Sequence, residues 1–316
     1  MQFTTQIPIP KSNHLIDYNS RIVSLGSCFA ENIGEKFHYF KFQNTVNPFG
    51  IIFNPVSIEN IVSRAVNQRY FTEDDVFFYN DLWHCYETHS ELSNPNKEVF
   101  IDSLNQKLDD FHFEITKASH CILTYGTSWV YKLKNTNQTV ANCHKVPQNQ
   151  FDKEILAIAT LEKSIENTIA LIQKVNTKCS VIFTVSPVRH IKDGFAENQR
   201  SKAHLLSAIH EIINGQAAIV NYFPSYEIMM DELRDYRFYA EDMLHPNQVA
   251  IDYIWERFFL TQITESIYPT MQEVCAVQKG LAHRPFNPDT PIHQKFLATL
   301  SKKIALLEAQ FSHFKF

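Results

Sequence analysis

The chain has 316 residues, 44% hydrophobic and 20% charged, with a formal net charge of −5. This is ordinary globular composition, long enough for a sizeable core. The excess of acid and the scattered Lys and Arg argue against nucleic acid as a partner. No run of about 18 apolar residues suggests a membrane span, and Met1–Pro10 is polar with two prolines, unlike an export signal. The six cysteines lie far apart without a C-x-x-C pair. A reducing, cytoplasmic setting is therefore expected, with Cys121 and Cys179 as small buried hydrophobes in apolar strands.

In chain order, Arg21–Gly26 predicts a short buried strand. Phe29, Ile33, Phe37 and Phe40 then recur at helical spacing. Gly26 and Ser27 stand at the corner between the two, where a residue without Cβ is needed and the next side chain lies beside unpaired helix amides. A serine there is either a plain N-cap or a nucleophile whose substrate oxygen those amides stabilise.

Gln43–Pro55 is a strand candidate interrupted by two Asn-Pro dipeptides around Gly50, so it predicts a looped connection; a helix follows from about Ser57. Val76–His89 predicts a hairpin carrying His84, Cys85 and His89, read as exposed histidines because their spacing fits no zinc pattern. Asn96–Ala118 predicts a long helix. His120–Tyr125 is a second buried strand that ends at Gly126, Thr127 and Ser128, and Tyr131–Lys145 a second hairpin.

Asp152 predicts the N-cap of a helix to about Val175. Lys178–Val185 is a third buried strand ending at Ser186-Pro187-Val188-Arg189-His190, Ser201–Ile213 a helix, Ala217–Tyr222 a short strand and Tyr226–Leu233 a helix. Such alternation implies a doubly wound, mostly parallel sheet with right-handed crossovers. Pro246 predicts the first turn of a helix ending near Phe259, with Asp242 and His245 just ahead of it. Arg284–Pro291 reads as a linker to an amphipathic last helix.

Ser27, His245 and Asp242 supply a nucleophile, a base and the group that orients the base, provided the fold returns residue 245 to residue 27. In a doubly wound sheet the loops after successive strands gather at one edge, so that meeting is expected. Trp83, Tyr86, His89, Trp129, Tyr131 and His144 form either a substrate wall or hairpin packing. Arg189, His190, Ser201 and Lys202 either bind an anionic or sugar group or are solvated surface.

Gly26-Ser27-Cys28-Phe29-Ala30 matches the name-giving motif of the GSCFA family, a branch that resembles the SGNH (GDSL-type) hydrolases. Asn47-Pro48-Phe49-Gly50, the Gly126 turn, Ser186-Pro187-Val188 and Asp242-Met243-Leu244-His245-Pro246 extend the resemblance over most of residues 20 to 260. It implies a flavodoxin-like α/β sandwich of SGNH type, with catalytic Ser27, His245 and Asp242 and no metal or cofactor. Residues 1–266 would form the catalytic domain, with hairpin insertions at about 76–90 and 129–145, and residues 267–316 a helical extension.

An SGNH oxyanion hole uses the serine amide, a glycine amide and an asparagine. Ser27, Gly50, Gly126 and Thr127 are the candidates. The strand expected to carry the asparagine ends Gly126-Thr127-Ser128-Trp129 without one, so Thr127, Ser128, a backbone amide, or Asn47 or Asn54 from the earlier loop would replace it. With Asn47, Asn54, His89, Trp129, Arg189 and His190 as substrate-binding candidates, the expected activity is a serine esterase or acyl transferase acting on a small acyl ester, foremost an acetylated carbohydrate. A catalytically silent carbohydrate- or peptide-binding protein is the alternative.

Overall fold

A computed structural model describes residues 5–216 and 219–316. In chain order the elements are β1 (Arg21–Gly26), α1 (Cys28–Tyr39), β2 (Gln43–Val46), α2 (Pro55–Val66), β3 (Phe77–Tyr79), β4 (Leu82–His84), α3 (Lys97–Lys117) and β5 (His120–Tyr125). There follow β6 (Trp129–Leu133), β7 (Thr139–Val140), β8 (Phe151–Ile155), α4 (Ile158–Val175), β9 (Ser180–Val185) and α5 (Phe195–Gln216). The chain continues with β10 (Val220–Tyr222), a short α6 (Ser225–Glu227), α7 (Gln248–Gln262), α8 (Tyr268–Ala282) and α9 (Pro291–Gln310). Ala217 and Ala218 of the expected Ala217–Tyr222 strand, and Met1–Thr4 of the polar start, lie outside the described residues.

The central sheet has five strands in the order β10-β9-β5-β1-β2, every neighbouring pair parallel. Counted within that sheet, the order is 2-1-3-4-5, the doubly wound arrangement whose switch point lies between the first and third strands. These are β1 and β5, so Ser27, one residue past β1, stands at the switch point.

Strand residues alternate between two apolar layers. Val23, Leu25, Cys121, Leu123, Phe183 and Val185 pack against α2, α3, α4 and α5. Ile22, Ile122 and Ile182 face α1, α7, α8 and α9. The result is a three-layer α/β sandwich whose central strands β1, β5 and β9 are buried on both faces, which is why they read as continuous apolar runs. The last helices belong to the second layer: Tyr18 stacks on Phe42 at 4.8 Å and meets the edge of Phe314 at 4.9 Å.

Three local expectations are corrected. Asp152 does not cap α4. Residues 151–155 form β8, antiparallel to β6 with Lys132 opposite Asp152, and Ala157 starts the helix without a side-chain cap. Glu154 bridges to Lys132 at 2.6 Å, and the strand pairing satisfies backbone groups that a helix start would leave open. Pro246 lies before α7, whose N-cap is Asn247 through its acceptance from Ala250 N at 3.1 Å.

The first hairpin's histidines are not both exposed: His84 is 5% exposed and His89 is half-buried, and His144 of the second hairpin is 3% exposed. His84 contacts Ser93 Oγ at 2.6 Å and Tyr79 O at 2.9 Å, while His144 contacts Ser90 Oγ at 3.2 Å and Cys85 O at 2.7 Å. These contacts tie β3–β4 to the loop after β7. Burial, aided by the nearby His84 and His89 imidazoles, lowers the His144 pKa to about 4, so it stays neutral at physiological pH.

Candidate active site

The corner before Ser27 is tightly built. Gly26 has φ +144°, and a Cβ there would lie 2.2 Å from the carbonyl oxygen of Thr124 on the neighbouring strand. Its N–H donates to Asn47 Oδ1 at 2.8 Å. Asn47 is itself left-handed at φ +40°, which asparagine tolerates better than most residues. It donates through its own N–H to Ser24 O at 2.9 Å and through Nδ2 to Glu31 Oε1 at 3.3 Å. Asn47 therefore braces the β1–α1 corner rather than reaching for substrate.

Ser27 is 1% exposed and caps α1, its Oγ accepting from Phe29 N at 3.2 Å. The cap geometry and the strand-to-helix corner thus occur together. Its hydroxyl lies at the positive end of a twelve-residue helix.

Asp242 and His245 form a hydrogen-bonded pair, with Oδ2 at 2.5 Å from Nδ1. The turn between them places Met243 at φ +58°. The other carboxylate oxygen accepts from Leu244 N at 2.9 Å and His245 N at 3.0 Å. The His245 and Leu244 amides, with the His245 ring, lower the Asp242 pKa to about 2. An ionised carboxylate only accepts, so Nδ1 donates and Nε2 carries the lone pair of the neutral ring. The side chains of His245 and Asp242 are 47% and 45% exposed, so the pair is open to solvent.

The elements meet through a chain of main-chain contacts at the carboxyl ends of the strands. Ser27 N donates to Thr124 O at 3.1 Å, joining the end of β1 to β5. Lys202 on α5 donates to Gly126 O and Ser186 O, each at 2.7 Å, fastening the ends of β5 and β9 together. Arg189 N donates to Leu244 O at 3.2 Å, drawing in the loop that holds Asp242 and His245. Among the described residues no hydrogen bond joins Ser27 to His245. The fold brings the serine and the dyad to one sheet edge but leaves the serine in its capping pose.

The expected oxyanion donors are already engaged. Besides Ser27 N, Gly50 N donates to Asn47 O at 2.8 Å and Gly126 N to Phe53 O at 2.7 Å. Thr127 Oγ1 lies 2.8 Å from Ser201 Oγ. Gly50 is a glycine for packing: its φ is +75° and a Cβ would lie 2.3 Å from that of His89. Ser201 is buried with Thr127 and Ser128 and is not a surface group.

The remaining substrate candidates divide. Asn54 caps α2 by accepting from Ser57 N at 2.8 Å, so it is part of the scaffold. Trp129 lies on β6, Lys153 Nζ standing 5.4 Å from its ring centre, in the small sheet outside the central one. His89 Nδ1 lies 3.4 Å from Glu91 Oε2 on the Asn47–Gly50 side. Arg189 stacks over Phe195 at 5.2 Å.

His190 lies against the end of β5. Its ring stacks on Phe53 at 5.5 Å and 17°, and its backbone N–H donates to Asn198 Oδ1 at 2.8 Å. Its Nε2 is buried with no partner among the described residues. Burial, reinforced by the nearby Lys202 and His245, lowers its pKa to about 3.

Lys202, Phe53 and Asn198 are neighbours of this edge that sequence reasoning missed or misplaced. Lys202 is 1% exposed, not a surface anion binder. Burial without a carboxylate in contact lowers its pKa to about 7. The signal is its place on the apolar stripe of α5, in register with Leu205, Ile209 and Ile212. A cavity of about 670 Å³ lined by Gly280, His283, Phe286 and Phe296 shares no residue with this edge. Among the described residues no three His, Cys, Asp or Glu side chains are grouped to hold a metal ion, and no helix is long and apolar enough to cross a membrane.

The fold and site define a doubly wound α/β protein with a serine at the switch-point corner and a His–Asp pair on the same edge. The chain belongs to the GSCFA family, whose model matches residues 21–258 and so spans both halves of that site. The model of the GSCFA domain protein C-terminal domain matches residues 274–316, which hold α9 and most of α8. No curated protein matches the chain.

Proposed function

We propose that the protein is a serine esterase or acyl transferase working through an acyl-serine on Ser27. The observation that supports this reading is the Asp242–His245 hydrogen bond, which makes Nδ1 the donor and leaves Nε2 to act as base, on a loop that Leu244 O ties to Arg189 N beyond the end of β9. The likeness of the GSCFA motif to SGNH hydrolases supports the same assignment.

Ser27 Oγ turns from Phe29 N toward His245 and attacks the acyl carbonyl while Nε2 takes its proton. Collapse of the tetrahedral intermediate breaks the ester bond, and the imidazolium returns that proton to the leaving alcohol. Water or another hydroxyl, deprotonated by His245, then attacks the acyl-serine and releases Ser27. Leaving the cap costs about 0.5–2 kcal/mol. That is small beside the 8–23 kcal/mol by which enzymes lower barriers, so the capping pose does not decide against catalysis.

The substrate we assign is a small acyl ester, an acetylated carbohydrate first. The occupied amides of Ser27, Gly50 and Gly126 favour a second reading, a binding protein that keeps the fold. Acetate release from a panel of acetylated sugars separates the two. The esterase reading expects turnover that falls on the order of 10²–10⁴-fold in Asp242→Asn, as the ring loses its orienting partner. Sugar binding without acetate release, unchanged in Asp242→Asn, supports the binding protein.

A further inference from the structure

We propose that His190 is a catalytic residue whose neutral imidazole donates from Nε2 to the substrate carbonyl oxygen, in place of the asparagine absent after Gly126. This assignment rests on the esterase reading above and names the donor that reading lacks. Its basis is an unpaired polar atom beside a set of paired ones. The amides of Ser27, Gly50 and Gly126 all donate to carbonyls at 2.7–3.1 Å, whereas His190 Nε2 is buried and unpartnered. Buried polar groups are mostly paired, and a donor left open at the end of β5, beside amides that are all paired, is available to an incoming acceptor.

The ring is held in place before any ligand binds. It stacks on Phe53, and Asn198 anchors its backbone N–H. A Cβ on Gly126 would lie 3.2 Å from Nε2 and 3.0 Å from Phe53 Cβ, so the glycine makes room for the ring at the end of β5. That strand pairs with β1, which delivers Ser27.

A neutral donor to an oxyanion keeps its proton and brings no charge of its own to desolvate. The charged or titratable groups acting on His190 are Lys202 from α5 and His245 from the loop before α7, with no carboxylate among them. Phe53 presents an apolar ring and Gly126 no side chain. Burial is the main cause that keeps His190 neutral, and Lys202, held by Gly126 O and Ser186 O, adds to it without touching substrate: it is a positioning residue whose charge opposes the imidazolium. With Nε2–H as donor, Nδ1 is the unprotonated nitrogen. A neutral histidine can serve as an electrophile in this way.

The experiment compares acetyl-ester kinetics of wild type, His190→Phe, which keeps the stack on Phe53, and His190→Gln, which restores an amide donor. A boronic acid that adds to Ser27 Oγ supplies a second readout, since its tetrahedral oxygen occupies the proposed position. The expected result is kcat down about 10²–10³-fold in His190→Phe with KM nearly unchanged, and partly recovered in His190→Gln. Boronate binding should also move the His190 Nε2–H proton resonance downfield in the wild type.

Wild-type turnover with an equal kcat in His190→Phe overturns this proposal alone. So does a boronate complex in which the His190 resonance is unmoved. A wild type that neither hydrolyses acetyl esters nor binds the boronic acid overturns the esterase reading, and this proposal with it.

Discussion

Replacing Lys202 by methionine removes a buried ammonium while keeping a chain of similar length. Burial lowers the Lys202 pKa from 10.5 to about 7. The unfolded chain keeps this proton until the higher pH, and the folded protein gives it up near the lower one. Between the two the unfolded state binds more protons, so this group makes stability rise with pH. Over pH 7 to 9 the wild type should therefore gain roughly 2 kcal/mol relative to Lys202→Met, with a flat difference below pH 6.

The substitution also leaves Gly126 O and Ser186 O without their donor, at about 1–3 kcal/mol each. That cost is independent of pH, so it moves the offset between the two curves and leaves the slope alone. Urea unfolding of both proteins at pH 6, 7, 8 and 9, read by far-UV circular dichroism, measures the difference. A constant difference across that range would refute the reasoning, because it would mean that the ammonium is solvated or has found a counter-charge.

Three further substitutions test the frame around the site. Arg64 is 2% exposed and binds Glu87 through Nε at 2.7 Å and Nη2 at 2.8 Å, and Asp75 through Nη2 at 2.7 Å, with its guanidinium 4.1 Å from the Phe71 ring centre. Arg64→Met should cost about 3–5 kcal/mol by leaving the Glu87 carboxylate with only the more distant Arg69, 3.9 Å away, and the double variant with Glu87→Gln should recover part of it in the same unfolding assay. At Gly26, alanine would meet Thr124 O at 2.2 Å, a backbone contact that cannot move aside. Gly26→Ala should therefore lose acetyl-ester turnover and melt well below wild type. Gly194→Ala, with φ +105° and no atom within 4 Å, should cost only backbone strain of about 1–3 kcal/mol.

Much of this arrangement was legible where a local rule and the fold agree. Ile22, Val23 and Leu25 followed by Phe29, Ile33 and Phe37 mark a strand turning into a helix, and the glycine between them marks the corner. Asp242 and His245 were legible as a pair because three residues across a turn bring a carboxylate to an imidazole. Reasoning failed where tertiary pairing overruled local preference. Asp152 has the chemistry of a cap, but its segment pairs with β6 and its neighbour Glu154 meets Lys132.

Asn47 and Asn54 have the chemistry of substrate ligands and are spent on a corner and a helix cap. For Asn54 the following proline, well suited to the first helical turn, was a usable signal. The stacking of His190 on Phe53 joins residues 137 positions apart and had no local signature. Lys202 did have one, a lysine on an apolar helical stripe, where burial signifies more than surface charge.

The most direct measurement is covalent labelling by a fluorophosphonate probe, read by intact mass, on wild type, Ser27→Ala and His245→Ala. One adduct on the wild type, absent from both variants, is the result expected of a Ser27 activated by His245. An unlabelled wild type at every pH from 6 to 9, or an adduct that persists in Ser27→Ala, would contradict it.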